Sequence, residues 1–354
     1  RTIVYSTLYS KGEGIFDGAH KEQDINRINA LIVGLGSFGT EMLRALSWFC
    51  QMDGYEICAV ASRSMDNAHN FANQYGIRKR YDSYEALVTD PEIELVYIAT
   101  PHSLHYSHAM LCLRNRKPVL CEKSFTTTAK EAEELFSTAK EYGVFITEAI
   151  WTRYMPLSQK ITELANSGII GTPRTLSANL CYPVADKERL IRADLGGGAL
   201  LDIGTYPLHF AAMVFGTDIE RTVSSCILTD TVVDAQECIS QYFSNTRTAV
   251  LYSSIYARSD RKGIISGEKG YIVVENINNP QVARIYDGFD NLISEHYAPQ
   301  QITGFEYQVQ ACFDALAVGA IETPFIPHEE TIRIMKIMDS LRKEWGVSFP
   351  ADNQ

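Results

Sequence analysis

Three glycines are spaced as GxGxxG in the stretch INALIVGLGSFG, which runs from residue 28 to residue 39. Gly34 permits a tight turn, Gly36 lets backbone N–H groups approach a pyrophosphate, and Gly39 lets a helix pack closely on a strand. An apolar run precedes these glycines and an amphipathic segment follows them, so a helix N-terminus would face the anion. The pattern predicts a dinucleotide phosphate loop, with an ordinary glycine-rich turn as the alternative. The candidate loop residues are Gly34, Gly36, Ser37, Phe38 and Gly39.

The second predicted strand, residues 55–61, ends in Ser62, Arg63 and Ser64. An Asp or Glu at this place would bond the ribose hydroxyls of NAD, whereas Arg suits the 2′-phosphate of NADP. No acid is present, so Ser62 and Arg63 favour NADP, and NAD is the alternative. Taken by itself, Arg63 is equally explained as a solvated loop charge.

A lysine, an aspartate and a tyrosine supply further reactive groups. Lys123 follows a predicted strand, so it would point into the crevice where a nicotinamide lies. Asp202 and Tyr206 follow a run of three glycines, and because they are four residues apart they share one helical face. Each also has a structural explanation: a surface charge for Lys123, a helix–helix ion pair for Asp202 and core packing for Tyr206.

The first half of the chain predicts a scaffold for these groups. Strands and helices alternate, and the strands are continuous apolar runs such as LVYIA at 95–99. This is typical of an α/β fold with a doubly wound parallel sheet, whose ligands gather at the carboxyl ends of the strands. The segments at those ends are Gly34–Gly39, Ser62–Arg63, Thr100–His105, Glu122–Lys123 and the chain from Glu148 onward.

After Trp151 a series of strand-like segments is joined mostly by short polar turns. This predicts a C-terminal α+β domain with a large, mostly antiparallel open sheet. We therefore divide the chain into an N-terminal extension (1–27), a Rossmann domain (28–150) and a substrate and oligomerisation domain (151–354). In 250–257 both alternating sets of side chains are large or apolar, so we expect the second face of the sheet to pack on another subunit.

The amino-acid composition limits which binding partners and which cellular compartment are expected for the protein. The chain has 354 residues, 45% of them hydrophobic, which suffices for about two domains. A net charge of -11 argues against nucleic acid and anionic membranes. No apolar run reaches the roughly 20 residues of a membrane span, and no intact signal peptide is evident. Because the eight cysteines are scattered and never form CxxC, we expect free thiols and a cytoplasmic location.

Three motifs occur in order: CEKS at 121–124, EAIWTRYMP at 148–156 and GGGALLDIGTYP at 196–207. Together they resemble the glucose-fructose oxidoreductase and inositol dehydrogenase (Gfo/Idh/MocA) family. Within it, the second and third motifs are most similar to the branch of dimeric dihydrodiol dehydrogenases and NADP-dependent xylose dehydrogenases. The resemblance implies a Rossmann domain and a C-terminal domain whose open sheet builds a dimer or tetramer interface.

The resemblance also implies roles for single residues. Glu122 and Lys123 match the family's Glu-Lys-Pro motif, Tyr206 matches a catalytic tyrosine of the branch, and Asp202 matches the aspartate one helical turn before it. In place of the motif's proline this chain has Ser124, which restores a backbone N–H. The residues that match the cofactor site are Thr100, Pro101 and His105 in a loop, and Trp151 and Arg153 at the nicotinamide end.

The implied reaction is hydride transfer between the nicotinamide of NADP(H) and a CH–OH or C=O carbon of a small sugar, polyol or trans-dihydrodiol. Tyr206 would exchange the hydroxyl proton. A free tyrosine has a pKa of about 10, and the nearby ammonium of Lys123 would lower it. Asp202 would either orient Lys123 or bind a substrate hydroxyl.

Other interpretations stay open on the sequence alone. NAD-dependent inositol or sugar dehydrogenases and relatives that cleave glycosides by transient oxidation share these motifs. A protein that senses NAD(P) without chemistry is the non-enzymatic alternative, supported only by Ser124. Arg153 is also explained by an ion pair with Glu148, and Trp151 by core packing. The spacing HxxHxxH at 102, 105 and 108 lacks further zinc ligands, so no metal site is expected.

Overall fold

The structure is a computed structural model that describes residues 29–33 and 56–353. The predicted phosphate loop, 34–39, and the N-terminal extension, 1–27, lie outside the described residues. Six parallel strands from the first half of the chain form one sheet, and eight mostly antiparallel strands from the second half form another. This architecture confirms the predicted fold class.

The first sheet has the strand order β3-β2-β1-β4-β5-β6 and is parallel in every pair. The order reverses between β1 and β4, which is the switch point where doubly wound sheets bind their ligands. Strands β4, β5 and β6 are buried throughout, as expected when helices cover both faces. The strands are β1 (Asn29–Val33), β2 (Glu56–Ala61), β3 (Lys79–Tyr81), β4 (Leu95–Ile98), β5 (Val119–Glu122) and β6 (Ile146–Ala149).

Three helices of the first half begin with side-chain caps. Ser64 accepts a hydrogen bond from the N–H of Asn67, Ser83 accepts one from the N–H of Ala86, and Thr128 forms a capping box with Glu131. Each such cap stabilises a helix by about 1 kcal/mol. The described helices of this half are α1 (Met65–Tyr75), α2 (Tyr84–Val88), α3 (His102–Arg114) and α4 (Ala129–Tyr142).

The second sheet has the order β14-β13-β12-β11-β7-β10-β9-β8, in which β7 and β10 pair in parallel. Helices α5 (Pro156–Asn166) and α6 (Thr205–Phe215) pack on its inner face. The strands are β7 (Pro173–Cys181), β8 (Ile219–Leu228), β9 (Asp234–Phe243), β10 (Arg247–Ser254), β11 (Gly263–Gly267), β12 (Gly270–Val274), β13 (Val282–Asp287) and β14 (Leu292–Tyr297).

The outer face of this sheet carries large apolar side chains that remain exposed. On β10, Ala249 and Leu251 point into the core, whereas Val250 and Tyr252 are 51% and 42% exposed. Val223 and Ile227 continue this apolar surface on β8. Val250 and Tyr252 lie in 250–257, the segment that the sequence predicted to pack on another subunit, and Val223 and Ile227 extend that surface beyond the predicted segment.

Helix α6 continues a turn of π-helix, Leu200–Gly204, which follows short 3-10 turns. The stretch Ala193–Phe215 contains an 18-residue window that is apolar enough to cross a membrane by length and composition, but 94% of that window is buried in the protein. A helix in the core of a protein also meets this criterion of length and composition. The segment that carries Asp202 and Tyr206 is therefore held between the two sheets rather than on the surface.

The last long helix, α8 (His328–Trp345), returns to the first half of the chain after α7 (Glu306–Ala317). The ring of His328 donates to the carbonyl oxygen of Ile146 at 2.8 Å. Asp339 accepts the N–H of Ala129, the first residue of α4, at 2.7 Å. Buried Arg342 lies 2.8 Å from Asp339. Helix α8 thus joins the end of the chain to β6 and α4.

Candidate active site

The carboxyl ends of the parallel strands meet at one edge of the first sheet. Ser62 and Arg63 follow β2, Thr100 and Pro101 follow β4, and Lys123 follows β5. Trp151 begins a 3-10 turn, Trp151–Tyr154, directly after β6. The structure therefore brings these predicted site residues to the same edge, while Gly34, Gly36, Ser37, Phe38 and Gly39 lie outside the described residues.

Lys123 reaches from the end of β5 into the π-helical turn. Its Nζ donates to the carbonyl oxygen of Asp202 at 2.6 Å and lies 3.2 Å from the Asp202 carboxylate. Arg189 also donates to this carboxylate, at 3.0 Å. Burial opposes the ionisation of Asp202, but the two cations outweigh it and hold the pKa of its carboxyl well below the usual range. Asp202 is thus a buried anion that orients Lys123.

Tyr206 lies one helical turn after Asp202, on the same side of the helix. The indole N–H of Trp151 donates to its hydroxyl oxygen at 3.1 Å, and Lys123 Nζ lies 5.4 Å from the centre of its ring. Burial, followed by the charge of Glu122, raises the pKa of Tyr206 well above its usual value. Since Trp151 occupies an acceptor position of the hydroxyl, the neutral phenol keeps its own proton to donate.

Glu122 lies behind this cluster. The hydroxyl of Tyr97 donates to one carboxylate oxygen at 2.5 Å, and the backbone N–H of Lys123 donates to the other at 3.2 Å. Burial raises the pKa of Glu122 despite these bonds. Glu122 therefore fixes the end of β5, from which Lys123 extends.

The peptide between Lys123 and Ser124 is cis. The hydroxyl of Ser124 donates to the carbonyl oxygen of Leu201 at 2.8 Å, and its own carbonyl lies 2.9 Å from His105 Nδ1. A proline at this position would lack the hydroxyl. Ser124 thus adds a second bond from the end of β5 to the π-helical turn.

His105 is fully buried between two backbone carbonyls. One ring nitrogen faces Ser124 and the other lies 2.8 Å from the carbonyl oxygen of Thr100. Pro101 is the N-cap residue of α3. His105 thus joins the loop after β4 to the segment after β5 and fixes the shape of that loop.

Trp151 and Arg153 follow β6 but face different neighbours. Trp151 stacks on Phe305 with ring centres 4.3 Å apart, in addition to its bond with Tyr206. Arg153 forms a buried ion pair with Glu330 of α8, so the alternative pairing of Arg153 with Glu148 is wrong. Trp151 therefore touches the proposed catalytic group, whereas Arg153 joins the segment after β6 to α8.

The Glu148 carboxyl is buried at the end of β6. Thr331 donates to it at 3.0 Å, and His209 Nε2 lies 3.7 Å away. Burial raises the pKa of Glu148 to about 7 and lowers that of His209 well below its usual value. His209 is thus neutral at the junction of the two halves, whereas the carboxyl of Glu148 is about half protonated at neutral pH.

Arg63 is exposed beside the start of α1. Ser62 accepts the N–H of Ser64 at 3.3 Å, and Ser64 in turn caps the helix. Burial mainly, followed by the charges of His105 and Arg63, lowers the pKa of His108 to about 4. An exposed guanidinium next to a helix N-terminus is suited to a phosphate group.

The three histidines of the HxxHxxH spacing have separate backbone or hydroxyl partners. The ring of His102 donates to the carbonyl oxygen of Gly196 at 2.8 Å, and that of His108 lies 3.1 Å from Thr100 Oγ1. Within the described ranges 29–33 and 56–353, no group of three or more His, Cys, Asp or Glu residues is arranged to hold a metal.

Sequence reasoning missed several residues of this cluster. Arg189 lies in the charged segment DKERLIRAD, which shows no periodicity that would mark it as part of a site. Phe305 stacks on Trp151 from more than a hundred residues away, and His102 anchors Gly196 from the other half of the chain. None of these contacts has a local sequence pattern.

A Rossmann-type sheet with a buried lysine, aspartate and tyrosine at its carboxyl edge defines the class of dinucleotide-dependent oxidoreductases. The family model of oxidoreductases with an NAD-binding Rossmann fold, GFO_IDH_MocA, matches residues 28–149. The model of the GFO/IDH/MocA C-terminal domain matches residues 158–273. The chain therefore belongs to the GFO/IDH/MocA family.

Individual relatives refine this assignment. Trans-1,2-dihydrobenzene-1,2-diol dehydrogenase of Xenopus laevis is 32% identical over 325 residues, covering 90% of this chain and 98% of the relative. The Homo sapiens protein of the same name is 30% identical over 329 residues, covering 91% and 98%. The 3-ketoreductase KijD10 from Actinomadura kijaniata, solved with NADP and TDP-benzene, has a TM-score of 0.81 at 26% identity, covering 90% and 98%. The chain is thus an oxidoreductase of the dihydrodiol dehydrogenase branch, acting on CH–OH groups.

Proposed function

We propose that this protein is an NADP(H)-dependent oxidoreductase that interconverts a CH–OH group and a C=O group in a small sugar, polyol or trans-dihydrodiol. The observation that carries the proposal is the buried cluster in which Lys123 contacts Asp202 and lies beside the ring of Tyr206. The dihydrodiol and 3-keto substrates named for the relatives are of this kind.

In the oxidation direction, NADP⁺ would supply the hydride acceptor, a carbon of the nicotinamide. The hydroxyl proton of the substrate passes to the oxygen of Tyr206, which acts as the base. Burial and the charge of Glu122 raise the pKa of this phenol. The ammonium of Lys123 and the N–H of Trp151 stabilise the phenolate and so offset that cost. In the reduction direction Tyr206 returns the proton to the substrate oxygen, and Lys123 stabilises the negative charge that develops there.

Asp202 is a positioning residue in this mechanism. Its carboxylate and carbonyl oxygen both contact the ammonium, so Lys123 is held in one orientation. Arg189, on the other side of the carboxylate, shares its negative charge. Because the carboxylate is matched by two cations, Lys123 keeps positive character to offer to the substrate oxygen.

The residues at the strand ends fit a dinucleotide with a 2′-phosphate. Arg63 presents an exposed guanidinium beside the Ser64-capped start of α1, and the strand end Ser62-Arg63-Ser64 contains no acidic residue that would favour the ribose hydroxyls of NAD. The proposed holders of the cofactor are Gly34, Gly36, Ser37, Phe38, Gly39, Ser62, Arg63, Thr100, Pro101, His105, Glu122, Lys123, Trp151 and Arg153.

The proposal also covers the oligomeric state of the protein and its cellular location. The exposed apolar side chains on the outer face of the second sheet, among them Val250, support a homodimer or homotetramer formed through that face. The cysteines at 112, 121, 181, 226, 238 and 312 form no disulfide, which suits the reducing cytoplasm. We place the boundary between the two domains at 150–151, where β6 gives way to the 3-10 turn.

The test is a titration with NADPH and NADH, followed by an absorbance screen of NADP⁺ with aldoses, inositols and trans-dihydrodiols. We expect tighter binding of NADPH than NADH and substrate-dependent NADPH formation with at least one of these classes. Tight NADPH binding without turnover on any substrate would contradict the enzymatic proposal and favour an NAD(P) sensor. Turnover that never releases the dinucleotide would instead favour a glycoside-cleaving relative.

A further inference from the structure

Two carboxyl groups lie beneath the segment that carries Asp202 and Tyr206. They belong to Asp234 and Glu237 of β9, which are 0% and 2% exposed and lie on either side of a register shift between β8 and β9. Burying a carboxyl group costs several kcal/mol unless it is paired or hydrogen-bonded. A pair of acids in the core therefore calls for a compensating contact.

We call residues 198–206, which include Asp202 and Tyr206, the catalytic segment. Asp234 contacts the start of this segment. Its Oδ2 accepts the backbone N–H of Leu200 at 2.5 Å. Leu200 begins the π-helical turn, so the carboxylate acts as a cap provided by a distant strand. The partial positive charge of a helix N-terminus favours an anion at this place. Asp202 lies two residues further along.

Gly198 makes this contact possible. A Cβ on Gly198 would lie 2.2 Å from Asp234 Oδ1, and the backbone there has a φ of +112°. Only glycine readily combines that conformation with so close an approach. Gly198, the last glycine of the run in the third motif, therefore leaves the space that the Asp234 carboxylate occupies.

Glu237 contacts the other end of the same turn. One of its oxygens pairs with the hydroxyl of Ser253, and a Cβ on Gly204 would lie 2.4 Å from that oxygen. Tyr206 lies two residues after Gly204. Burial, followed by the charge of Asp234, raises the pKa of Glu237 well above its usual range, so Glu237 is the neutral member of the pair.

We infer that Asp234 is a positioning residue that sets the position of the catalytic segment, with neutral Glu237 supporting the far end of the same turn. The inference rests on the proposed function, because it assumes that Asp202 and Tyr206 act there. The carboxylate of Asp234 does not touch the reacting groups. It fixes the backbone from which both project, and a displacement of about 1 Å there lowers turnover about 100-fold.

The test compares Asp234→Ala with Asp234→Asn, which keeps an acceptor for the N–H of Leu200. The control is Asp339→Ala, because Asp339 likewise accepts the first N–H of a helix, α4, but lies away from the site. We expect Asp234→Ala to lower kcat by about 10–100-fold with KM and NADPH affinity unchanged, and Asp234→Asn to recover most of it. Asp339→Ala should lose thermal stability and keep kcat.

A second pair of variants keeps the inference testable if Asp234→Ala fails to fold. Gly198→Ala places a methyl group where the Asp234 carboxylate lies, whereas Gly216→Ala imposes similar backbone strain at a φ of +79° with no atom within 4 Å. Gly198→Ala should lower kcat and Gly216→Ala should not. Equal kcat in both pairs would overturn the inference.

Fluorescence of Trp151 separates this inference from the proposed function. Its indole bonds Tyr206, so movement of the catalytic segment changes its emission even without turnover. Asp234→Ala should alter the emission relative to a Trp151→Phe background, and Asp339→Ala should not. Unaltered emission in Asp234→Ala would overturn the inference, whereas an inactive wild-type protein with the expected emission change would overturn only the proposed reaction.

Discussion

Lys123 Nζ lies 2.6 Å from the carbonyl oxygen of Asp202 and 3.2 Å from its carboxylate, in a contact that is almost entirely closed to solvent. The lysine comes from the first sheet and the aspartate from the turn that leads to Tyr206. One buried ion pair thus connects the two halves of the chain at the proposed reaction centre. Because removing one partner of a buried ion pair leaves the other charge uncompensated, this contact is sensitive to substitution.

Substitution of the proposed proton donor and of its cation provides the first prediction. Lys123→Ala and Tyr206→Phe should each lower kcat by about 10²–10⁴-fold, the usual contribution of acid–base catalysis. NADPH affinity should stay largely intact in both. Steady-state rates and a fluorescence titration of NADPH measure the two quantities. Tyr154→Phe is the control, because Tyr154 is a buried tyrosine that bonds Thr147 instead. Wild-type rates in either variant would remove Tyr206 or Lys123 from the mechanism.

Arg63 should discriminate between the two dinucleotides. Arg63→Ala removes a charge-assisted hydrogen bond to the 2′-phosphate, worth about 1.5–3 kcal/mol, so NADPH should bind about 10–100-fold more weakly. NADH affinity should not change, because NADH lacks that phosphate. Titration of both dinucleotides against the variant measures the ratio. Arg78→Ala removes an exposed arginine that pairs with Glu92 and should leave the ratio as it is. An equal loss for NADPH and NADH would contradict the role of Arg63.

Glu148 should make stability depend on pH. Burial raises the pKa of its carboxyl from 4.5 to about 7 in the folded protein. The protonated form is therefore favoured by folding, and its stabilising contribution is complete below pH about 4.5 and lost as the pH rises through about 7. Glu148→Gln keeps the shape and cannot ionise. Between pH about 4.5 and pH about 7, the free energy of unfolding should therefore fall less for Glu148→Gln than for the wild-type protein. The difference should be on the order of 3 kcal/mol.

Urea unfolding of both proteins at about pH 5 and pH 8 measures this difference. The comparison with wild type matters because buried Asp234 and Glu237 also have raised pKa values and persist in the variant. Parallel pH profiles for the two proteins would show that Glu148 is ionised in the folded state at neutral pH.

The outer face of the second sheet should hold subunits together. Val250→Glu places a charge among exposed apolar side chains, so it should shift the protein from an oligomer to a monomer in light scattering. Val318→Glu is the control, since Val318 is 80% exposed at the end of α7. Exposed Cys238 on the same face gives a second measurement: its thiol should react faster in the Val250→Glu variant. A wild-type protein that is monomeric at micromolar concentration would contradict the interface.

Much of the fold was predictable because its elements have strong local patterns. The helix Tyr84–Val88 and the strand at 95–98 follow from apolar periodicity and turn residues. The edge strand Lys79–Tyr81 does not, because the sequence KRY lacks apolar alternation and its pairing with β2 is a tertiary contact. Helix α5 was not predicted from the sequence. Its first residue, Pro156, is also the last residue of the motif EAIWTRYMP, so the apolar periodicity of the residues that follow was not considered.

The site was predictable where residues lie in motifs and not where they act across the chain. Lys123, Asp202 and Tyr206 stand in recognisable segments, and the structure brings them together. Arg189 and Asp234 contact that segment through long-range packing, for which a single sequence contains no pattern. The predicted ion-pair partner of Arg153, Glu148, was wrong for the same reason, since the observed partner, Glu330, is 177 residues away.

The contacts of α8 have a consequence for how the protein is made. His328 and Asp339 bond the start of β6 and the start of α4, although they are synthesised 182 and 210 residues after their partners. While the ribosome is still translating the middle of the message, the N-terminal half has no partner for these groups. Its native surface is completed only after the C-terminal helix has left the exit tunnel, so early termination of translation would leave that half incomplete and prone to aggregation.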